Sequence, residues 1–105
     1  SVDILIDPKD VSNMIKNNAY DAIFIEYDME SMSGEVVLKN LESSGNKVPI
    51  SVAIISKKTK YDKDSLFDYI LTSPIKKKQL NYLVFYLMQT YTLPRFDLLE
   101  IHHRQ

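Results

Sequence analysis

At 105 residues the chain is large enough for one core and not for two. Its 45% hydrophobic and 26% charged content is that of an ordinary globular protein, and 13 basic against 14 acidic side chains leave a net charge of -1, so no bulk field draws it to nucleic acid or anionic lipid. The absence of cysteine excludes a disulfide scaffold, a thiol nucleophile and a thiolate metal site.

No apolar run approaches the roughly 20 residues of a membrane helix, and the N-terminus lacks the basic-then-apolar order of a signal peptide. A cytoplasmic domain is therefore expected, and the start at Ser1-Val2 reads as a piece excised from something longer. Val2 to Ile6 is a short apolar run, broken at Asp3, that predicts a strand. Asp7-Pro8 supplies an N-cap and a first-turn proline. Val11, Met14 and Ile15 recur at helical spacing, predicting a helix over Lys9 to Asn18 with one buried stripe. Asp21 to Tyr27 is apolar on both faces, as expected of a strand covered by helices on both sides. Ser33-Gly34 opens a helix to about Glu42, with Val37, Leu38 and Leu41 inward, and Ser43 to Asn46 closes it with turn chemistry.

Pro49 leads into a third strand, Ile50 to Ile55. Lys57 to Asp64 reads as a polar loop, with a short helix expected around Asp62 to Phe67. A fourth strand, Tyr69 to Leu71, runs into Thr72-Ser73-Pro74. The longest helix follows, Lys76 to about Tyr91, with Leu80, Leu83, Val84, Leu87 and Tyr91 on one face. Strands separated by helices mean right-handed crossovers and a parallel sheet, so the class is α/β: three layers, about four strands, helices on both faces. The expected division is a domain over 1–92 and an apolar tail or short helix over 93–105, where Leu93, Phe96, Leu98, Leu99 and Ile101 are too apolar for a free terminus.

The run Ile25 to Glu35, Ile-Glu-Tyr-Asp-Met-Glu-Ser-Met-Ser-Gly-Glu, sits between an apolar strand and a helix. It resembles the central signature of the response-regulator receiver (CheY-like) family, in which a strand ends in a phosphoacceptor Asp and a Met-Pro-x-Met-Asp-Gly loop leads into the next helix. Met29, Met32 and Gly34 match, while Glu30 and Ser33 stand where Pro and Asp are usual. Counting back from Gly34, the phosphoacceptor position falls on Glu26. Asp68-Tyr69-Ile70-Leu71-Thr72-Ser73-Pro74-Ile75 is similar to the family's Asp-Tyr-Leu-Thr-Lys-Pro-Ile with one residue added. The family's Lys is then Ser73, its Ser/Thr switch residue is Ser56, its rotating aromatic lies near Tyr69, and the Ser73-Pro74 bond is expected to be cis.

The resemblance spans about Val2 to Tyr91 and implies a truncated flavodoxin-like receiver fold that lacks the first βα unit. With that unit goes the family's acidic pair, so Mg²⁺ binding is expected to be weak or absent and no other cofactor or metal is expected. In the family's sheet order, 2-1-3-4-5, the missing strand is central. Either Val2 to Ile6 closes up against Asp21 to Tyr27, or the tail covers a bared sheet face or packs on a partner. Phosphoryl transfer to aspartate needs a carboxylate nucleophile, a held cation and a positive group on the phosphoryl oxygens. Glu26, with no Lys at Ser73, lacks that set. Its charge imitates part of a phosphoaspartate, or it is simply a solvated strand end. Asp28 is an alternative nucleophile only if the loop shifts by two residues.

The implied function is that of a degenerate receiver-like domain of a two-component phosphorelay protein, with a hybrid sensor histidine kinase as candidate parent. It would act by protein–protein interaction and carry no catalytic activity itself. Expected partners are other domains of such a protein or a second copy, with Tyr82, Tyr86, Phe96 and Leu99 at the interface; nucleic acid, membrane and small-molecule substrates are not expected. Two alternatives stand beside it: a phosphorylatable receiver whose first βα unit lies outside this chain, and an unrelated small α/β ligand-binding domain. Plainer readings accompany the remaining features. Tyr69 is also readable as a half-buried aromatic, His102-His103 as a solvated tail and Lys76 to Lys78 as a solvated helix start.

Overall fold

The most continuous apolar runs of the sequence lie side by side inside one sheet. The computed structural model describes residues 2–5 and 7–102. In chain order the elements are β1 (Val2–Leu5), a 3₁₀ turn (Pro8–Asp10), α1 (Val11–Asn17), β2 (Ala22–Glu26), α2 (Gly34–Ser43), β3 (Ile50–Ile55), β4 (Tyr69–Thr72), α3 (Lys77–Thr90) and β5 (Leu98–Ile101). All pairings are parallel and the strand order is β1-β5-β2-β3-β4. The molecule is a three-layer α/β structure compatible with a flavodoxin-like fold, with β1 and β4 at the edges. Ile6 and His103, both named in the sequence reading, lie outside the described residues.

Side-chain alternation divides the core in two. Ile23, Ile25, Ala53, Leu99 and Ile101 face one layer, where Val11 and Ile15 of α1 and Val37, Leu38 and Leu41 of α2 meet them. Ala22, Phe24, Val52 and Leu98 face the other, where Leu80 and Leu83 of α3 pack. Burial on both faces explains why β2 and β3 read as nearly continuous hydrophobic runs. Local chemistry sets the ends of the helices. The Asp7 carboxylate accepts the Lys9 N–H at 3.0 Å and Ser33 Oγ accepts the Val36 N–H at 3.3 Å. Past α2, Gly45 takes φ +81°, a conformation that only glycine adopts without strain.

Three expectations are corrected. The sheet has five strands, because the tail neither covers a sheet face nor forms a short helix. Leu98–Ile101 inserts between β1 and β2 as β5. Leu99 and Ile101 point to one layer and Leu98 to the other, a period of two that buries both sides only in a strand. The segment around Asp62 to Phe67 is not helical. Several of its backbone donors go to side chains instead, Asp62 N–H to the Tyr27 hydroxyl, Asp64 N–H to Asp62 Oδ1 and Leu66 N–H to Glu35 Oε1, while Ser65 N–H closes a single turn on Asp62 O. Tyr91 does not continue the inward face of α3; the helix ends at Thr90, Thr92 turns to φ 54°, and Tyr91 is exposed. Among the described residues no helix is long and apolar enough to cross a membrane.

Candidate functional site

Parallel strands put all their carboxyl ends on one edge, and in open α/β sheets that edge is where ligands and partners are met. Four side chains named by the sequence stand there: Glu26 at the end of β2, Ser56 just past β3, Ser73 just past β4 and His102 just past β5. The pairing of Ile25 with Ile101 brings the following residues, Glu26 and His102, next to each other. His102 Nδ1 lies 3.8 Å from Glu26 Oε2, and its Nε2 lies 3.7 Å from Glu100 Oε2. The His102 N–H donates to Leu5 O at 3.0 Å, extending the β1–β5 ladder by one rung. One imidazole thus stands between two carboxylates, on the edge where the resembling family holds its acidic pair. Sequence reading left His102 as tail because β5 was not foreseen.

Ser56 serves its own loop. Its N–H donates to Thr59 Oγ1 at 2.9 Å, its carbonyl accepts the Thr59 N–H at 3.1 Å, and its Oγ accepts the Lys58 N–H at 3.2 Å. The Thr59 hydroxyl in turn donates to the Asp28 carboxylate. The loop after β3 is therefore tied to the loop after β2, and the carboxylate considered as an alternative nucleophile is engaged by a hydroxyl. Ser73 donates its N–H to Ile55 O at 2.6 Å and places a neutral side chain where the family has a cation. The Ser73-Pro74 peptide is cis, as expected. Lys76 occupies the N-cap position of α3 without a capping side-chain bond, and Lys77 and Lys78 follow in the first turn, all three exposed.

Gly34 has a steric reason for its place in the motif. A Cβ there would come within 2.9 Å of Tyr27 Cα and 3.1 Å of Glu26 O. The Gly34 N–H donates to Tyr27 O at 2.8 Å, so the start of α2 rests directly on the backbone that carries Glu26. The next residue, Glu35, was missed by sequence reading, because a carboxylate in a first helical turn ordinarily faces water. Here it is buried, and Oε1 accepts from Ser65 Oγ at 3.1 Å and from Leu66 N–H at 3.3 Å. Tyr27 packs between this tether and the loop, its ring 5.0 Å from Tyr61 and 6.1 Å from Phe67. Burial raises its phenol above the ordinary range against the opposing Asp62 N–H, and the Glu35 carboxylate adds to the rise.

Tyr69, near the family's rotating aromatic by resemblance and also readable as a half-buried aromatic, meets Tyr86 of α3 edge-on at 6.1 Å, and its hydroxyl lies 3.4 Å from that of Tyr91 just past the helix. The Tyr91 hydrogen bond, and then burial, push its phenol up. Of the residues expected at an interface, Tyr82 and Tyr86 are exposed on α3. Leu99 is fully buried in the interior strand β5, where no partner reaches it, and Phe96 packs partly buried against the α3-side core.

Two open depressions flank the sheet. One of about 680 Å³ lies at the carboxyl edge over Tyr27, Asp28 and Met29. The larger, about 970 Å³, lies at the opposite, amino edge, between Tyr20, Asp21 and Asp68. Among the described residues no group of three or more histidines and carboxylates converges on a common metal position. No family model matches the chain, and comparison with curated proteins and with solved structures gave no match.

Proposed function

We propose that this chain is a degenerate receiver-like module of a phosphorelay signalling protein, one that works by binding other protein surfaces and does not accept phosphate. A single observation carries the reading: β5 occupies the strand position that the chain order leaves open. With it, the sheet reproduces the family's spatial order 2-1-3-4-5, and Glu26 ends the central strand on the phosphoacceptor edge. Around Glu26 the chemistry differs from an acceptor site. His102 faces it in place of the acidic pair, Ser73 stands in place of the lysine, and the Ser56 hydroxyl caps its own turn. An imidazole is not the hard oxygen ligand that Mg²⁺ prefers, and Ser73, in the lysine position, brings no cation to neutralise a phosphoryl group on Glu26. The module is cytoplasmic on this reading, and a hybrid sensor histidine kinase is the parent it fits.

The test is incubation with Mg²⁺ and a small acyl phosphate, followed by intact mass and peptide mapping. Unchanged mass is the expected result. A phosphoryl adduct on Asp28 or another carboxylate overturns the loss of acceptor chemistry and favours a phosphorylatable receiver.

A further inference from the structure

Helix α3 ends in a backbone conformation that its sequence does not favour. The Leu93 N–H donates to Met88 O at 2.9 Å and the Thr92 N–H to Gln89 O at 3.4 Å, a double closure that usually carries glycine at the position of Thr92. Here a β-branched residue takes φ 54°, the left-handed region in which its Cβ crowds the neighbouring carbonyl. Leu93 and Pro94 follow, and a residue ahead of proline is held extended. Turning Thr92 to the extended region, which β-branched residues prefer, straightens the whole connection between α3 and β5.

The contacts that bind β5 are the same whichever copy supplies it. The strand pairs with β1 on one side and β2 on the other, Leu98, Leu99 and Ile101 are buried in the two core layers, and the Asp21 carboxylate holds the Asp97 N–H at the entrance. Without it, the facing edges of β1 and β2 leave N–H and C=O groups unpaired beside the core. The slot takes a strand of one register and one alternation of side chains, which are those of β5 itself. We propose that β5 exchanges between two copies of this chain. The chain runs straight on from α3 through Thr92, its β5 fills the slot of the partner, and the partner's β5 fills its own. Leu99, beyond the reach of a partner that docks on the folded surface, then lies in the core of the other copy.

The closed chain keeps its own β5 at hand with an effective concentration of about 1 mM, and the exchanged dimer repeats every contact of the slot. The balance is therefore set by the connection. Left-handed Thr92 handicaps closure by roughly tenfold, and each dimer relaxes two such residues. A dissociation constant on the order of 10 µM follows. Fully extended, residues 91–97 span roughly 20 Å. The two bodies then meet at the amino edges of their sheets, with the two connections side by side about a two-fold axis. The inference stands on the connection and the slot and does not depend on the receiver reading.

The test is to unfold the full chain in denaturant, refold it across a concentration series and separate the products by size exclusion. A dimer fraction that grows with concentration and persists after dilution is expected, because β5 must leave the core to return. Ile4 and Glu100 are partners across β1 and β5, and the chain has no cysteine of its own. A chain carrying both Ile4→Cys and Glu100→Cys, treated with dibromobimane, therefore reports which copy supplies β5. On a denaturing gel the monomer fraction should cross-link within the chain and the dimer fraction between chains. Thr92→Gly adopts the same φ freely and should raise the dissociation constant by roughly hundredfold, with the monomer at least as stable as before. A chain that refolds only to monomer at several hundred micromolar, dimers whose cross-links stay within one chain, or a Thr92→Gly variant that dimerises as readily would each overturn the proposal. None of these outcomes alters the phosphodonor result.

Discussion

The carboxylate of Asp21 accepts the Asp97 N–H at 2.7 Å, and the Asp97 carbonyl accepts the Asp21 N–H at 2.8 Å in return. This reciprocal clasp lies one residue ahead of both β2 and β5 and fixes the pairing of Ala22 with Leu98. The register of the two central strands is set there, before any side chain enters the core. Asp21→Ala leaves the Asp97 N–H without its carboxylate in a partly buried position. A loss of about 1–3 kcal/mol is expected, measured as a lower urea midpoint with unchanged m.

Ending the chain at Thr92 removes β5 entirely. Leu98, Leu99 and Ile101 are 5%, 0% and 0% exposed. At about 1.5–3 kcal/mol for each buried side chain, the loss is comparable to the ~5–15 kcal/mol total stability of a small domain. The truncated chain is expected to show no cooperative thermal transition by circular dichroism. A sharp transition would mean that β1 closes directly onto β2.

The two glycines should respond differently to alanine. At Gly34 the added Cβ meets backbone at 2.9 Å, which neither α2 nor β2 relieves without shifting. The expected cost is about 1–3 kcal/mol, together with altered amide shifts at Tyr27. At Gly45 nothing lies within 4 Å and only the positive φ opposes the substitution. There the expected cost is about 1–2 kcal/mol with the Tyr27 amide unmoved.

Glu35→Ala removes the acceptor shared by Ser65 and Leu66. Faster hydrogen exchange is expected at the Leu66 amide, while amides of β2 and β3 keep their protection. Glu35→Gln retains an acceptor oxygen and should restore most of the protection. Equal deprotection across the sheet would mean that Glu35 supports the whole fold and not the loop.

Alkaline stability should depend on Tyr20. Its hydroxyl donates to Asp3 Oδ2 at 2.6 Å, and burial, with that hydrogen bond and the Asp3 charge, pushes the phenol up to about 12. The folded state thus favours the protonated phenol more strongly than the unfolded chain does, whose tyrosines titrate near 10. The contribution is complete below pH 10 and is lost as pH rises from about 10 through 12. Tyr20→Phe should flatten that part of the stability profile, and tyrosinate absorbance of the wild type should show a late-titrating phenol.

What could be read from the sequence followed from periods longer than a few residues. Ala22 to Ile25 is apolar throughout and Ile50 to Ile55 is broken only by Ser51, and such runs bounded by turn residues become interior parallel strands. Val37, Leu38 and Leu41 mark the inward face of α2 with equal clarity. Leu98 to Ile101 resisted because a short apolar run has no period of its own to separate strand from buried helix, and its partners lie far away in the chain. The site was legible where a residue ends a strand, as with Glu26 and Ser73. His102 became a neighbour of Glu26 only through β5, and the burial of Glu35 depends on where an irregular loop settles. Neither leaves a local mark.

The position of β5 has a kinetic consequence. Val2 pairs with Leu98 and Ala22 with Leu98, so the strand that joins β1 to the rest of the sheet is synthesised after the other four described strands. Until it arrives, β1 has no neighbour and one edge of β2 stays open, while every other pairing can already form. The Val2–Leu98 pairing closes nearly the whole described span, a long-range contact of the kind that lengthens folding. During that interval the unpaired edges of β1 and β2 are the surfaces a chaperone, or another nascent copy, would meet first.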